Sequence, residues 1–393
     1  MGTIKILHTA DWHLGALQNI PFTTEYKNRK IGIRLFDIFE RIKQIVKFAI
    51  KNRCKYFLIT GDIFDNHAPN MFIKKYFSIE INKLLDNKIH VIILIGNHDT
   101  DGIIHALNDV QHLLNHSKYL HIIDKYKILL IGNIAFHCIP YKHKVDYEGL
   151  VLKTKQQRLL KKDYYDILLA HLGVQGADAG AGVRFLGADV SVNQLSGFHY
   201  VALGHYHLAQ KIGASLSQFK ANQIYFAGSI IKLDMKETTV DDKKSFNWIK
   251  LSGDEVVVRQ IALQDRQYLK LKIDFDKLIK IFKRMKDDKK IKILNNEIKS
   301  NSIIYLIVTV SKADAVSFNV AKFIELFKKI YGVLFISIVW NIVRVVNKVE
   351  IKKSIFDDVE LAFDEYMNSF PPKADVDNIN KIGHKLITSL DSL

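Results

Sequence analysis

Five short clusters combine side chains able to bind a metal ion or move a proton: Asp11-x-His13, Gly61-Asp62, Gly96-Asn97-His98-Asp99, His171 and Gly204-His205-x-His207. Carboxylate oxygen, amide oxygen and imidazole nitrogen suit hard or borderline divalent ions such as manganese or iron. No cysteine stands among them, which argues against a structural zinc site. Two ions about 3.5–4 Å apart, bridged by a carboxylate, form a clamp for in-line displacement at phosphorus. Such a clamp activates a water and neutralises charge growing on the phosphoryl oxygens. Asp62 is the natural bridge. Singly, each cluster also has an ordinary structural reading: a core histidine, or a turn-forming Asp after a strand.

What joins the clusters is the elements before them. Ile4–Thr9, Tyr56–Thr60, His90–Ile95, Asp166–Ala170 and Tyr200–Leu203 are apolar runs that read as strands buried on both faces. Each runs into one cluster, and open α/β sheets gather their sites at the C-terminal ends of strands. Gly96 is expected to let the chain turn sharply after its strand. Leu35, Ile38, Phe39, Ile42, Ile45, Val46 and Ala49 fall at helical spacing and predict a helix over 34–51. Further helices are expected over 70–86 and 103–115. Strand and helix alternating in this way predict a layered α/β fold.

The rhythm then changes. A hairpin is expected across Gly132-Asn133, followed by a Lys-rich helix, a Gly- and Ala-rich surface loop over 173–187, and strands over 223–226, 245–251 and 255–262 that finish a mixed sheet. A polar stretch over 264–267 suggests a boundary. Beyond it, strands over 268–275, 303–310 and 333–346 and helices over 276–286 and 318–330 suggest a small α+β domain. The charge run 283–292 reads as a solvated helix end or loop. Two amphipathic patterns flank Pro371-Pro372. The expected division is 1–265, 266–350 and 351–393.

Lys and Arg number 57 against 41 Asp and Glu, a net charge of +16. That is the footprint of a polyanion binder, although a codon bias toward Lys and Ile gives the same excess. Cys54 and Cys138 rule out a disulfide framework and suit a reducing compartment. The N-terminus does not read as a signal peptide. The most apolar stretch, Gly332–Val346, is broken by Asn341 and Arg344, so no membrane span is expected.

The order DxH, GD, GNHD, lone His, GHxH resembles the calcineurin-like metallophosphoesterases. The finer wording HTADWHLG, GDIFDNHAP, GNHD, ALGHYH and YFAGSIIKLD resembles the SbcD and Mre-type nucleases of double-strand break repair, over roughly residues 4 to 235. The resemblance implies a four-layer sandwich with mixed β-sheets (an α/β, or α+β, architecture), a small α+β capping domain that helps place DNA, and C-terminal helices. It implies that Asp11, His13 and His207 hold one ion, that Asn97, His171 and His205 hold the other, and that Asp62 bridges them. Mn2+ is the expected metal, with Fe2+ or Mg2+ as alternatives. His98 is expected to stabilise the transition state or protonate the leaving sugar oxygen, and Asp99 to fix the His98 ring.

Some relatives carry a second catalytic His where Asp65 stands here, and His67 reads as an ordinary loop residue. The implied activity is hydrolysis of DNA phosphodiesters, as a double-strand exonuclease and a single-strand or hairpin endonuclease, in DNA repair, recombination and replication. The implied partners are DNA ends and hairpins, an SbcC-type SMC-like ATPase docking on 351–393, and a second copy of the chain, with the helices near 70–86 and 103–116 as dimer elements. The implied location is cytoplasmic, on the nucleoid. Two other readings stay open: a phosphoesterase acting on a phosphoprotein, nucleotide or small phosphoester, and a non-catalytic DNA-end scaffold. The scaffold reading needs a missing ligand, and every motif is intact.

Overall fold

The computed structural model describes residues 2–16, 23–115, 118–159, 164–178, 188–213, 223–233, 243–286 and 297–342. Two six-stranded sheets form its centre. The first runs Glu255–Ala262, Ser245–Ser252, Ile4–Thr9, Tyr56–Thr60, His90–Leu94, Leu120–Ile123; the second runs Gln210–Lys211, Ile224–Phe226, Tyr200–Gly204, Tyr165–His171, Ile134–Ile139, Lys127–Ile131. Both are mixed. Ile4–Thr9 pairs parallel with Tyr56–Thr60 and antiparallel with Ser245–Ser252.

The continuous apolar runs follow from burial on both strand faces. Ile6, Tyr56, Leu58, Ile92 and Leu94 point between the sheets, against Phe136, Ile167, Leu169, Tyr200 and Ala202. The alternate residues Leu7, Phe57, Ile59, Val91 and Ile93 pack under the helices Ile33–Lys51 and Met71–Asp86. Leu168, Ala170, Val201 and Leu203 pack beneath the helix Tyr147–Gln156. Helices, sheet, sheet and helix make four layers, and each large apolar side chain so buried contributes roughly 1.5–3 kcal/mol. Asn70 caps the second helix, its side chain accepting from Ile73 N at 3.0 Å.

Two expectations are corrected and one element is new. The helix expected over 103–115 shrinks to Ala106–Val110 and a short 3-10 turn, Gln111–Leu113. Side chains capture the main chain first: Thr100 Oγ1 donates to Ile104 O at 2.8 Å, and Asp101 accepts from Ile103 N and Ile104 N, both at 2.9 Å. The strand expected over 333–346 begins at Phe335 and is described to Ile342. An unexpected hairpin, Thr23–Tyr26 with Arg29–Gly32, precedes the first helix.

Tyr268–Asp274, Ile303–Val310 and Phe335–Ile342 form a three-stranded sheet, accompanied by the helices Phe275–Lys286 and Val320–Tyr331. The polar stretch before it is anchored: Arg266 makes a two-pronged contact with Asp37 of the first long helix, at 3.1 and 2.8 Å. The chain divides into two compact units, residues 1–307 with 320–339 and residues 308–319 with 340–393. In the second, Ser311 caps the helix Lys312–Ser317, and Phe318 meets Trp340 edge to face at 5.9 Å. The loop positions 179–187, the charge run from 287 to 292 and the patterns over 351–393 lie outside the described residues. Among the described residues no helix is long and apolar enough to cross a membrane.

Candidate metal centre

The five strand exits meet at one edge of the sandwich, and their loops are tied to each other. Asp11 N donates to Gly61 O and His13 N to Asp62 O, each at 3.1 Å. These turns force left-handed backbone on non-glycine residues: φ is 49° at Asp11, 43° at His13, 51° at Asp62 and 100° at His205. Backbone in that region costs on the order of 1–3 kcal/mol per residue and clusters at functional sites.

The glycines are required by proximity. A Cβ on Gly96 would overlap Asp62 N and Oδ1, and one on Gly61 would overlap the His171 ring. A Cβ on Gly204 would overlap the Thr60 carbonyl. Gly96 is not among the glycines with positive φ, so its small size rather than its conformational freedom explains it.

Main-chain N–H groups pin one oxygen of each buried carboxylate. His205 N donates to Asp11 Oδ1 at 3.0 Å, and His98 N donates to Asp62 Oδ1 at 2.9 Å. His171 Nδ1 donates to the Thr60 carbonyl at 2.7 Å, which turns Nε2 toward Asn97 Oδ1 (2.9 Å) and Asp62 Oδ1 (3.5 Å). His205 Nδ1 stands 3.1 Å from the same Asn97 oxygen. On the other side His13 Nε2 lies 3.2 Å from His207 Nε2 and 3.8 Å from Asp62 Oδ2.

The ligand atoms of Asp62, His171 and His205 fall within 4.8 Å of one another, as do those of His13, Asp62 and His98. Asp11 Oδ2 is buried without a hydrogen-bond partner among the described residues. An orphaned carboxylate oxygen is costly unless a cation faces it. These donors fit a pair of divalent ions sharing Asp62.

The electrostatics agree. Burial alone raises the Asp62 carboxyl, but His171, His13 and the His98 N–H hold it well below the usual carboxylate range. Burial lowers His171, yet Asp62 and Asp11 more than offset it and push the imidazole up to about 9. Burial and then His171 push His205 down to about 4. Burial raises Asp11, against the pull of His171.

All nine residues singled out in the sequence come together, with one role corrected. Asp99 is fully buried and does not face His98: its oxygens accept from Gly96 N and Phe64 N, both at 2.9 Å. It braces the two loops. The group on His98 is the Asp65 carbonyl, 3.0 Å from Nδ1, while the Asp65 carboxylate lies 3.4 Å from His13 Nδ1. Sequence reasoning treated Asp65 only as a departure from the family pattern; its place inside GDIFD, between two candidate-site loops, was the available signal. His67 is exposed.

This fold and this edge define a dimetal phosphoesterase scaffold. The calcineurin-like phosphoesterase family model matches residues 4–209, and the chain belongs to that family. It is 26% identical over 303 residues to the DNA double-strand break repair protein Mre11 of Sulfolobus acidocaldarius, covering 73% of each chain. It is 27% identical over 269 residues to the SbcD component of nuclease SbcCD from Escherichia coli K12, covering 60% of this chain and 62% of that one. With the SbcD component of nuclease SbcCD from Staphylococcus saprophyticus it shares 24% identity over 290 residues, 68% of this chain and 71% of the relative.

Proposed function

We propose that the chain is the nuclease component of an SbcCD-type complex, hydrolysing DNA phosphodiesters with two metal ions, Mn2+ first among them. The observation that carries this reading is the pair of donor clusters meeting at Asp62, His171 and His205 on one side and His13 with the exposed His98 ring on the other. The relatives named for nucleases and break repair support DNA as the substrate. So does the net charge of +16, because Lys and Arg on phosphates give affinity without sequence preference.

In this reading Asp11, His13 and His207 hold one ion, Asn97, His171 and His205 the other, and Asp62 both. Bound there, the ions supply an activated water and neutralise phosphoryl charge. His98 donates through Nδ1 to the Asp65 carbonyl, so Nε2 is the atom that meets the phosphodiester; from the imidazolium form it gives its proton to the leaving sugar oxygen and leaves the ring neutral, with Nδ1 still protonated.

The proposal extends to architecture. Residues 1–265 form the nuclease part, 266–350 help hold DNA, and 351–393 dock on an SMC-like ATPase. A homodimer forms beside the helix Met71–Asp86, where Met71, Ile103 and Ile104 are 63%, 92% and 54% exposed. The complex works on DNA ends and hairpins in the cytoplasm.

The test incubates the full chain with Mn2+ and linear duplex DNA, with and without the ATPase, beside His98→Ala. Wild type cleaves; the variant keeps its metals and DNA affinity and loses cleavage. Rapid hydrolysis of a small phosphoester or phosphoprotein with no DNA cleavage under any condition overturns the proposal.

A further inference from the structure

Directly behind the candidate centre, between the two sheets, lies a polar cluster that the metal chemistry does not use. His8 is fully buried at the heart of an apolar core. Its Nδ1 lies 2.8 Å from the Tyr200 hydroxyl and 3.3 Å from Asn247 Nδ2. Its Nε2 lies 3.0 Å from Thr60 Oγ1. Asn247 Nδ2 also donates to the Tyr200 hydroxyl at 3.2 Å. An amide nitrogen can only donate, so Nδ1 is the accepting nitrogen and Nε2 carries the proton. Burial, partly offset by the Leu203 carbonyl, pushes the His8 pKa down to about 3, so the ring is neutral.

The residues this ring touches are the ones that aim the candidate ligands. Thr60 is the last residue of its strand, and its carbonyl accepts from His171 Nδ1 at 2.7 Å. Thr60 is two residues from Asp62. Leu203, on the facing sheet, is two residues from His205. Tyr200 and Asn247 fix the far side of the ring from one strand of each sheet. A buried four-residue polar cluster gives up apolar packing, and a hydrophobic residue of similar size would fill the space if packing were the only need.

We propose that His8 is a positioning residue: its Nε2–H holds Thr60, so that the Thr60 carbonyl keeps the His171 ring turned with Nε2 toward Asp62. The inference rests on the reading that His171 holds an ion. Partners of this kind set ligand orientation, and losing one costs roughly ten- to a hundredfold in metal affinity.

The experiment titrates Mn2+ into the metal-free full chain by calorimetry, alongside thermal melting. His8→Leu removes the ring's hydrogen bonds to Tyr200, Asn247 and Thr60, Thr60→Val removes only the hydroxyl that His8 holds, and His8→Gln keeps a donor on the Thr60 side. His8→Leu and Thr60→Val are expected to weaken one of two Mn2+ sites roughly tenfold or more. Their combination loses no more than either alone, and His8→Gln restores most of the loss. Cys138→Ala, a cavity in the same inter-sheet core, lowers the melting temperature without changing affinity. Should His8→Leu fail to fold, Thr60→Val and His8→Gln decide the outcome. Wild-type affinity in Thr60→Val, additive losses, no rescue by Gln, or an equal loss in Cys138→Ala overturns the proposal. His171→Ala checks the premise separately: two wild-type Mn2+ sites in that variant would mean that the metal assignment, not the strut, had failed.

Discussion

His98 Nδ1 lies 3.0 Å from the main-chain carbonyl of Asp65. The candidate acid is therefore oriented by backbone, and no side chain at position 65 is needed for it. The same residue's carboxylate lies 3.4 Å from Nδ1 of His13, a candidate metal ligand. Asp65→Asn is expected to weaken Mn2+ binding roughly tenfold while leaving the His98-dependent step intact once metal is saturating. A drop in DNA cleavage at saturating Mn2+ equal to that of His98→Ala would contradict this division.

Asp62 is shared by both donor groups. Asp62→Asn should cost both ions, whereas His207→Ala and His205→Ala should each weaken one. Metal counting by mass spectrometry under native conditions separates these outcomes. A variant with Asn at 62 that retains two ions would remove its bridging role.

Metal loading should release protons. The metal-free His171 imidazole is pushed up to about 9, above its ordinary value, so at pH 7 it carries a proton that an ion must displace. Mn2+ affinity should therefore rise with pH from 7 to about 9 and then level off. Calorimetry in buffers of different ionisation enthalpy counts the protons, and a pH-independent affinity over that range refutes the expectation.

His8 makes the opposite kind of demand on the fold. Its folded-state pKa is depressed to about 3, below the ordinary 6.5 of the unfolded chain. Between these values the unfolded state binds more protons, so this residue's contribution to stability is complete above 6.5 and declines as pH falls toward 3. Melting temperatures of wild type should fall over that window more steeply than those of His8→Gln. Parallel curves would show that His8 is not the group responsible.

Gly96→Ala should be far more damaging than an exposed Gly→Ala change, because its Cβ would overlap Asp62 N and Oδ1. The overpacking costs roughly 1–3 kcal/mol, and the displaced Asp62 should lose metal as well. Gly253→Ala, which meets nothing within 4 Å, is the comparison, with its own penalty from φ +57. Equal metal binding in the two variants would speak against the close packing.

The sequence by itself determined the buried central strands, the clusters that end them and the family. An uninterrupted run such as Val-Ile-Ile-Leu is readable because both faces of a central strand are buried, and a ligand next to it in the chain is placed by the strand. Short elements were not readable in this way. The hairpin Thr23–Tyr26 and Arg29–Gly32 buries only Tyr26 and Ile31, and the edge strand Leu120–Ile123 buries only Ile123. Each needs a partner strand that no local pattern announces. The helix expected over 103–115 had the right apolar residues, and a local side-chain capture by Thr100 and Asp101 overruled them.

Only the tertiary structure decided which groups support the site. Asp99 follows His98 in the chain yet braces Gly96 and Phe64, while the orienting carbonyl comes from Asp65, 33 positions away. His8 stands outside the five donor clusters; the facing sheets bring Thr60, Tyr200 and Asn247 to its ring. Candidate ligands follow their strands and so are written locally. The partners that aim them reach across loops and sheets, and their distance along the chain carries no signal until the layers close.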